Sequence, residues 1–265
     1  MLSIVVPVFN EEKNISIFLE RILPILNKLD KYEIIFCLDP SNDNTETLIK
    51  DNIKLNNNIK LIKFSRRFKQ SSAILAGIEN CSGDYCVIID VDLQDPPELV
   101  ENMYHKIKQG YDCVFAQRVK KIGENFFRLL IIKIFYLITN LFSDVNIPRN
   151  VGEFRIISRR MINHIKIYGR YNFYLRGITS LIGFNTSSIE FVRRSRGKGE
   201  SKYLIGSYKD ALNGILNFTS LAQVLVLIIL FINFFLSILL FFFNKISVMS
   251  FYICFLFSFI FIFLC

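Results

Sequence analysis

Short apolar runs alternate with amphipathic stretches through the first 120 positions. That alternation predicts an α/β fold, a mostly parallel sheet wound with helices. Strands are expected near residues 3–8, 33–38, 60–64, 85–90 and 113–116, each a run rich in β-branched or aromatic residues. Helices are expected over 12–29, 44–53, 70–80 and 97–109, the last opening with Pro97 in its first turn. In an open sheet of this kind ligands bind at the carboxyl ends of the strands. The polar clusters fall there: Pro7 to Glu11, Asp39 to Asp43 and Asp90 to Asp95.

Beyond position 120 the pattern changes. Residues 124–142 are far too apolar for an exposed helix face yet carry Arg128 and Lys133, which suits either a core helix or, given the apolar tail nearby, one lying in a membrane interface. A strand-like run at 152–158, a polar loop at 193–203 and an amphipathic juxtamembrane stretch at 204–220 follow. Residues 221–243 are uncharged, and at ~1.5 Å per residue they suffice to cross a ~30 Å hydrocarbon core. Residues 246–265 are uncharged again and reach a second span only if all of them are used. The expected organisation is a catalytic-sized domain over 1–203, the juxtamembrane segment, and two spans, with one span and a re-entrant or frayed end as the alternative.

Charge sharpens this division. Residues 1–120 carry 15 basic and 17 acidic residues, residues 121–220 carry 16 and 6, and the tail adds only Lys245. Arg193, Arg194, Arg196, Lys198, Lys202 and Lys209 all precede the first span, which places the large domain in the cytoplasm of a multi-pass inner-membrane protein. The basic segment shows no nucleic-acid-binding motif, so nucleic acid is not an expected partner. Six cysteines form no CxxC pair, and Cys37, Cys86 and Cys113 fall in apolar runs, as buried free thiols of a reducing compartment do. The amino terminus has no basic leader before its short apolar run, unlike a signal peptide.

The strongest chemical signal is Asp90-Val91-Asp92-Leu93-Gln94-Asp95-Pro96-Pro97-Glu98 after a very apolar strand. In an extended chain positions 90, 92 and 94 point one way and Val91 and Leu93 the other. Asp90, Asp92 and Gln94 then form a hard oxygen set suited to Mg²⁺ or Mn²⁺, with water and a substrate phosphate completing the shell. Helix capping accounts for Asp95 but not for two acids ending a buried strand. Adjacent loops bearing Glu11 and Asp39 can hold the base and ribose of a nucleotide while the third binds metal and diphosphate.

On these residues the sequence resembles the GT-A fold family 2 glycosyltransferases, and among them the polyprenyl-phosphate glycosyltransferases. The carriers are Pro7-Val-Phe-Asn-Glu11, Leu38-Asp-Pro-Ser-Asn-Asp-Asn-Thr45, the Asp90–Glu98 motif, Ala116-Gln117-Arg118, Gly152-Glu153-Phe154-Arg155, Arg176-Gly177, and Arg196-Gly-Lys-Gly-Glu-Ser-Lys-Tyr203 before an apolar tail. The resemblance implies that Pro7, Glu11 and Asp39 contact the nucleoside of a nucleotide-sugar donor. It implies that Asp90, Asp92 and Gln94 hold the metal and donor diphosphate. Arg118, Arg155, Arg196, Ser201 and Lys202 would surround the acceptor phosphate or leaving diphosphate, and Asp92, Glu153 and Arg155 would be the catalytic set.

The implied reaction is inverting transfer of a hexose, first of all from UDP-glucose, to a polyprenyl phosphate such as undecaprenyl phosphate at the cytoplasmic leaflet. A homo-oligomer is compatible with it. Family members commonly have Asp-Asp-Gly-Ser where this chain has Leu38-Asp39-Pro40-Ser41, and Asp where it has Glu153. They also usually run on past the second span, where this sequence stops at Cys265. Two other readings remain. Transfer to another lipid or glycan is one, although the Gln-x-x-Arg-Trp motif of processive members needs a Trp and there is none. A catalytically silent scaffold is the other.

Overall fold

A computed structural model describes residues 1–29, 31–119, 148, 151–168 and 175–192, together with helical positions 228, 231–233 and 235. Among the described residues seven strands form one sheet: β1 (Leu2–Val8), β2 (Tyr32–Leu38), β3 (Ile59–Lys63), β4 (Tyr85–Ile88), β5 (Cys113–Arg118), β6 (Val151–Ser158) and β7 (Thr186–Phe191). Their spatial order is β3-β2-β1-β4-β6-β5-β7. Only β6 is antiparallel to its neighbours. The helices are α1 (Glu12–Leu26), α2 (Thr45–Leu55), α3 (Lys69–Asn80), α4 (Leu99–Ile107), α5 (Arg159–Tyr168) and α6 (Leu175–Ile182).

The sequence explains these placements. β1 and β2 are almost wholly apolar because each lies between two strands and under helices on both faces. β3 is a border strand, and its exposed Lys60 and Lys63 alternate with less exposed positions. α1 buries Ile15, Phe18, Leu19, Ile22 and Leu26, one stripe of a 3.6-residue period. It ends at Leu26, short of the expected end at Leu29. Helices α1, α2 and α4 pack on one side of the sheet, around Phe18, Phe36 and Met103. Helices α3, α5 and α6 cover the other, around Ile74, Ile162 and Ile178.

Two features set the functional edge. The strand order runs 3-2-1 and then jumps to 4, and such a reversal leaves a crevice at the carboxyl ends. Because β6 runs backwards, its beginning, not its end, reaches this edge. Ile88 of β4 stands opposite Arg155, so the next positions along the two chains bring Asp90 and Glu153 together. The opposite edge is fastened by Glu33, which accepts from Ser3 Oγ (2.6 Å), Ser82 N–H (2.6 Å) and Lys60 Nζ (2.6 Å).

Cys37, Cys81, Cys86 and Cys113 are free and buried, as the thiol reading expected. Burial pushes the thiols of Cys37 and Cys113 up to about 12. Among the described residues no helix is long and apolar enough to cross a membrane. The expected interfacial helix at 124–142, the loop at 193–203 and the juxtamembrane stretch lie outside the described residues, as does nearly all of both spans.

Candidate active site

The first two loops at the carboxyl edge are woven together. Asn10 adopts a left-handed backbone (φ 53°), which Asn tolerates better than most residues. Its N–H donates to Ser41 Oγ (3.0 Å) and its Oδ1 accepts from Asn42 N–H (2.9 Å). Asp43 accepts from the N–H of Thr45 (3.1 Å) and of Glu12 (3.2 Å), so one carboxylate serves the first turns of both α1 and α2. Glu11 N–H donates to Thr45 Oγ1 (2.8 Å), and Glu11 Oε2 accepts from Asn14 Nδ2 (2.6 Å). Pro7 lies past the point where β4 leaves β1, at the mouth of this lattice.

Asp39, at the end of β2, is buried. Its Oδ1 accepts from Phe68 N–H and its Oδ2 from Lys69 N–H, both at 2.9 Å. It therefore holds the start of α3. Each oxygen keeps a further lone pair for a ligand.

This third loop, residues 65–70, escaped the sequence reading. It sets Arg66 over the Phe68 ring (4.1 Å) and Arg67 over the Phe9 ring (4.0 Å), with both arginines and Lys69 exposed. Gln70 Nε2 donates to Asp90 Oδ1 at 2.7 Å. The available signal was position: Ser65-Arg-Arg-Phe-Lys-Gln70 follows a strand at the same edge as the other polar loops.

The fourth loop follows β4. Strand pairing stops at Ile88 and the chain turns, with Leu93 in the left-handed region (φ 62°) and Asp92 Oδ1 accepting from Gln94 N–H (3.1 Å). The extended alternation expected for 90–94 is thus replaced by a turn. The alternation of exposure survives: Val91 and Leu93 are buried, and Asp90, Asp92 and Gln94 are only partly buried. α4 starts at Leu99 with Glu98 as its N-cap, and Asp95 lies buried 3.8 Å from the Arg118 guanidinium.

Arg118 ends β5 and lies across Gly152, where an added Cβ would come within 2.5 Å of it. Arg155 of β6 is fully buried. Its guanidinium donates to Thr179 Oγ1 (2.8 Å) and Gly152 O (2.7 Å) and stands 3.8 Å from the Glu153 carboxylate. The structure therefore brings Pro7, Glu11, Asp39, Asp90, Asp92, Gln94, Arg118 and Glu153 to one edge. It places Arg155 behind that edge, against protein groups. Arg196, Ser201 and Lys202 lie outside the described residues.

The electrostatics of this edge are unbalanced at one point. Burial, then the charges of Asp92 and Asp95, push Asp90 from 3.8 up to about 8. Glu153 adds to the push and the Gln70 hydrogen bond opposes it. Among the described residues no group of three His, Cys, Asp or Glu side chains forms a metal cage. A divalent cation here would take few protein oxygens and complete its shell from water and a diphosphate, which is the habit of Mg²⁺ and Mn²⁺.

Residues 3–166 match the family model described as Glycosyl transferase family 2. An uncharacterized glycosyltransferase, YkcC, of Bacillus subtilis (strain 168) is 37% identical over 219 residues, covering 82% of this chain and 68% of that protein. The bactoprenol glucosyl transferase of Shigella phage SfV is 35% identical over 222 residues, covering 83% and 72%. Among solved structures, glucosyl-3-phosphoglycerate synthase from Mycobacterium tuberculosis, in complex with Mn²⁺, UDP-glucose and phosphoglyceric acid, has a TM-score of 0.57 at 17% identity, covering 82% of this chain and 79% of that one. The sheet with its single reversed strand is the GT-A fold, and the chain belongs to glycosyl transferase family 2.

Proposed function

We propose that the protein transfers a hexose, glucose from UDP-glucose before others, to a polyprenyl phosphate with inversion at the sugar, at the cytoplasmic face of a membrane. The observation that carries this reading is the acid cluster around Asp90 at the same sheet edge as Arg118, which pairs with Asp95, and the exposed cations Arg66, Arg67 and Lys69. A nucleoside diphosphate with a divalent cation answers both signs of charge at once. The name of the phage relative supports a bactoprenol acceptor and a glucosyl group.

The chemistry is direct. One oxygen of the lipid phosphate bonds to the anomeric carbon as the bond from that carbon to the nucleoside diphosphate breaks, and the diphosphate leaves with the electron pair. A monoester phosphate is largely ionised near neutral pH, its second pKa being about 6, so no strong base is needed. Pro7, Glu11 and Asp39 seat the nucleoside. Asp90, Asp92 and Gln94 hold the cation, which when bound neutralises the leaving diphosphate. Arg118, held by Asp95, faces the phosphates, and Glu153 lines the cleft beside Asp90. Arg196, Ser201 and Lys202 receive the acceptor phosphate. Two spans, 221–243 and 246–265, anchor the chain. The exposed apolar helical positions Ile228, Phe231, Ile232 and Phe235 accord with the first of them.

The test is transfer of labelled sugar into a polyprenyl-phosphate lipid by purified protein with Mg²⁺ or Mn²⁺, across UDP-glucose, UDP-galactose, UDP-N-acetylglucosamine and GDP-mannose. Lipid-linked label from UDP-glucose that vanishes with chelator is the expected result. No product from any donor, with folded protein and accessible lipid, would overturn it.

Asp90 also makes the stability of the metal-free protein depend on pH. Below 3.8 the carboxyl is protonated whether the chain is folded or not. Above that value the unfolded chain releases its proton while the folded protein retains it up to about 8, so folding is progressively penalised across this window. Melting temperature in chelator should fall between about pH 5 and pH 8, and Mn²⁺ should raise it more at the higher pH. Asp90→Asn should flatten the trend. A wild-type profile already flat in chelator would refute this account of Asp90.

A further inference from the structure

We propose that Gln70 is a positioning residue that fixes the Asp90 carboxylate for its cation, and that Asp39 in turn fixes Gln70. The inference rests on the metal reading of Asp90 above. Three hydrogen bonds carry it. Asp39 binds the N–H groups of Phe68 and Lys69, the two residues that open α3. Lys69 has φ 71°, a backbone state that a long L side chain keeps only when its surroundings hold it there. The next residue, Gln70, donates its side-chain amide to Asp90 Oδ1 at 2.7 Å.

The choice of an amide matters. A lysine or arginine at this place would neutralise Asp90 and compete with the cation. Glutamine donates a hydrogen bond without supplying charge, so the carboxylate is oriented while its demand for a cation persists. Oδ1 is occupied by the amide, so rotation of the carboxylate is restrained before any ligand arrives. Partners of this kind, touching a ligand residue rather than the metal, commonly carry a large share of metal affinity. The geometry also ties two candidate subsites to one helix end, since Asp39 belongs to the nucleoside loop and Asp90 to the metal loop.

The experiment is Mn²⁺ binding to the full chain in detergent without donor, read from the electron paramagnetic resonance of free Mn²⁺. Gln70→Leu and Gln70→Asn are compared with wild type and with Ser71→Ala, an exposed neighbour on the same turn. The two Gln70 variants are expected to bind Mn²⁺ roughly 10-fold more weakly, with melting temperatures near wild type and Ser71→Ala unchanged. In transfer assays they should need about 10-fold more Mn²⁺ for half-maximal rate, and kcat at saturating Mn²⁺ should return to within about threefold of wild type. A folded Gln70 variant that binds Mn²⁺ within about twofold of wild type would overturn the inference alone. Wild-type protein that takes up no Mn²⁺, with or without UDP, would overturn the metal reading and this inference together.

Discussion

Replacing Asp92 by Asn is expected to slow sugar transfer by roughly a thousandfold while the protein stays folded. Asn is the informative substitution because of the local backbone. Asp92 Oδ1 accepts the Gln94 N–H and so stabilises a turn in which Leu93 is held at φ 62°. An asparagine oxygen can accept the same bond, so the turn persists and only the charge is lost. Removing one carboxylate from the pair that holds the cation weakens the counter-charge to the leaving diphosphate, whose departure limits a reaction that needs no strong base. A thousandfold corresponds to about 4 kcal/mol of barrier. Fewer charges in the cluster should also leave the metal-free melting temperature no lower than in wild type. An Asp92→Asn variant retaining a tenth or more of the wild-type rate in saturating Mn²⁺ would remove Asp92 from the reaction.

The sheet was legible where strands are buried on both faces, because there the sequence has little choice but Val, Ile, Leu and Phe. β7 was not, since Thr186-Ser-Ser-Ile-Glu-Phe191 borders the sheet and only Ile189 and Phe191 carry an apolar signal. α5, Arg159-Arg-Met-Ile-Asn-His-Ile-Lys-Ile-Tyr168, was hidden in the same way, because Met161, Ile162 and Ile165 alone face the core among many polar neighbours. At the site, acids that follow strands announce themselves by position. The 65–70 loop follows a strand too but carries no acid, and its part comes from contacts with Asp39 and Asp90, some 30 and 20 positions away. An extended chain would set Asp90, Asp92 and Gln94 on one side. The structure reaches a similar pattern of exposure by a turn, which periodicity does not encode.

Arg155 shows the deepest difference between a charge in a sequence and a charge in a fold, and it supplies the second large effect. Arg155→Leu is expected to cost about 3–5 kcal/mol of stability. Its side chain is wholly buried, with its backbone between Ile88 of β4 and Phe115 of β5 and its guanidinium 5.2 Å from the Phe115 ring. It bonds Thr179 of α6 to Gly152 of β6 and stands beside the Glu153 carboxylate, so its loss would take a buried cation and two hydrogen bonds away from these groups. At roughly 2–4 °C per kcal/mol for a domain of this size, the melting temperature should drop by about 10 °C. Arg155→Lys keeps the charge but not the fork, and should fall between the two. A residue that merely grips the acceptor phosphate would behave in the opposite way, with transfer lost and melting unchanged. Thermal melts of both variants beside their transfer rates therefore decide whether Arg155 holds the floor of the site or reaches into it.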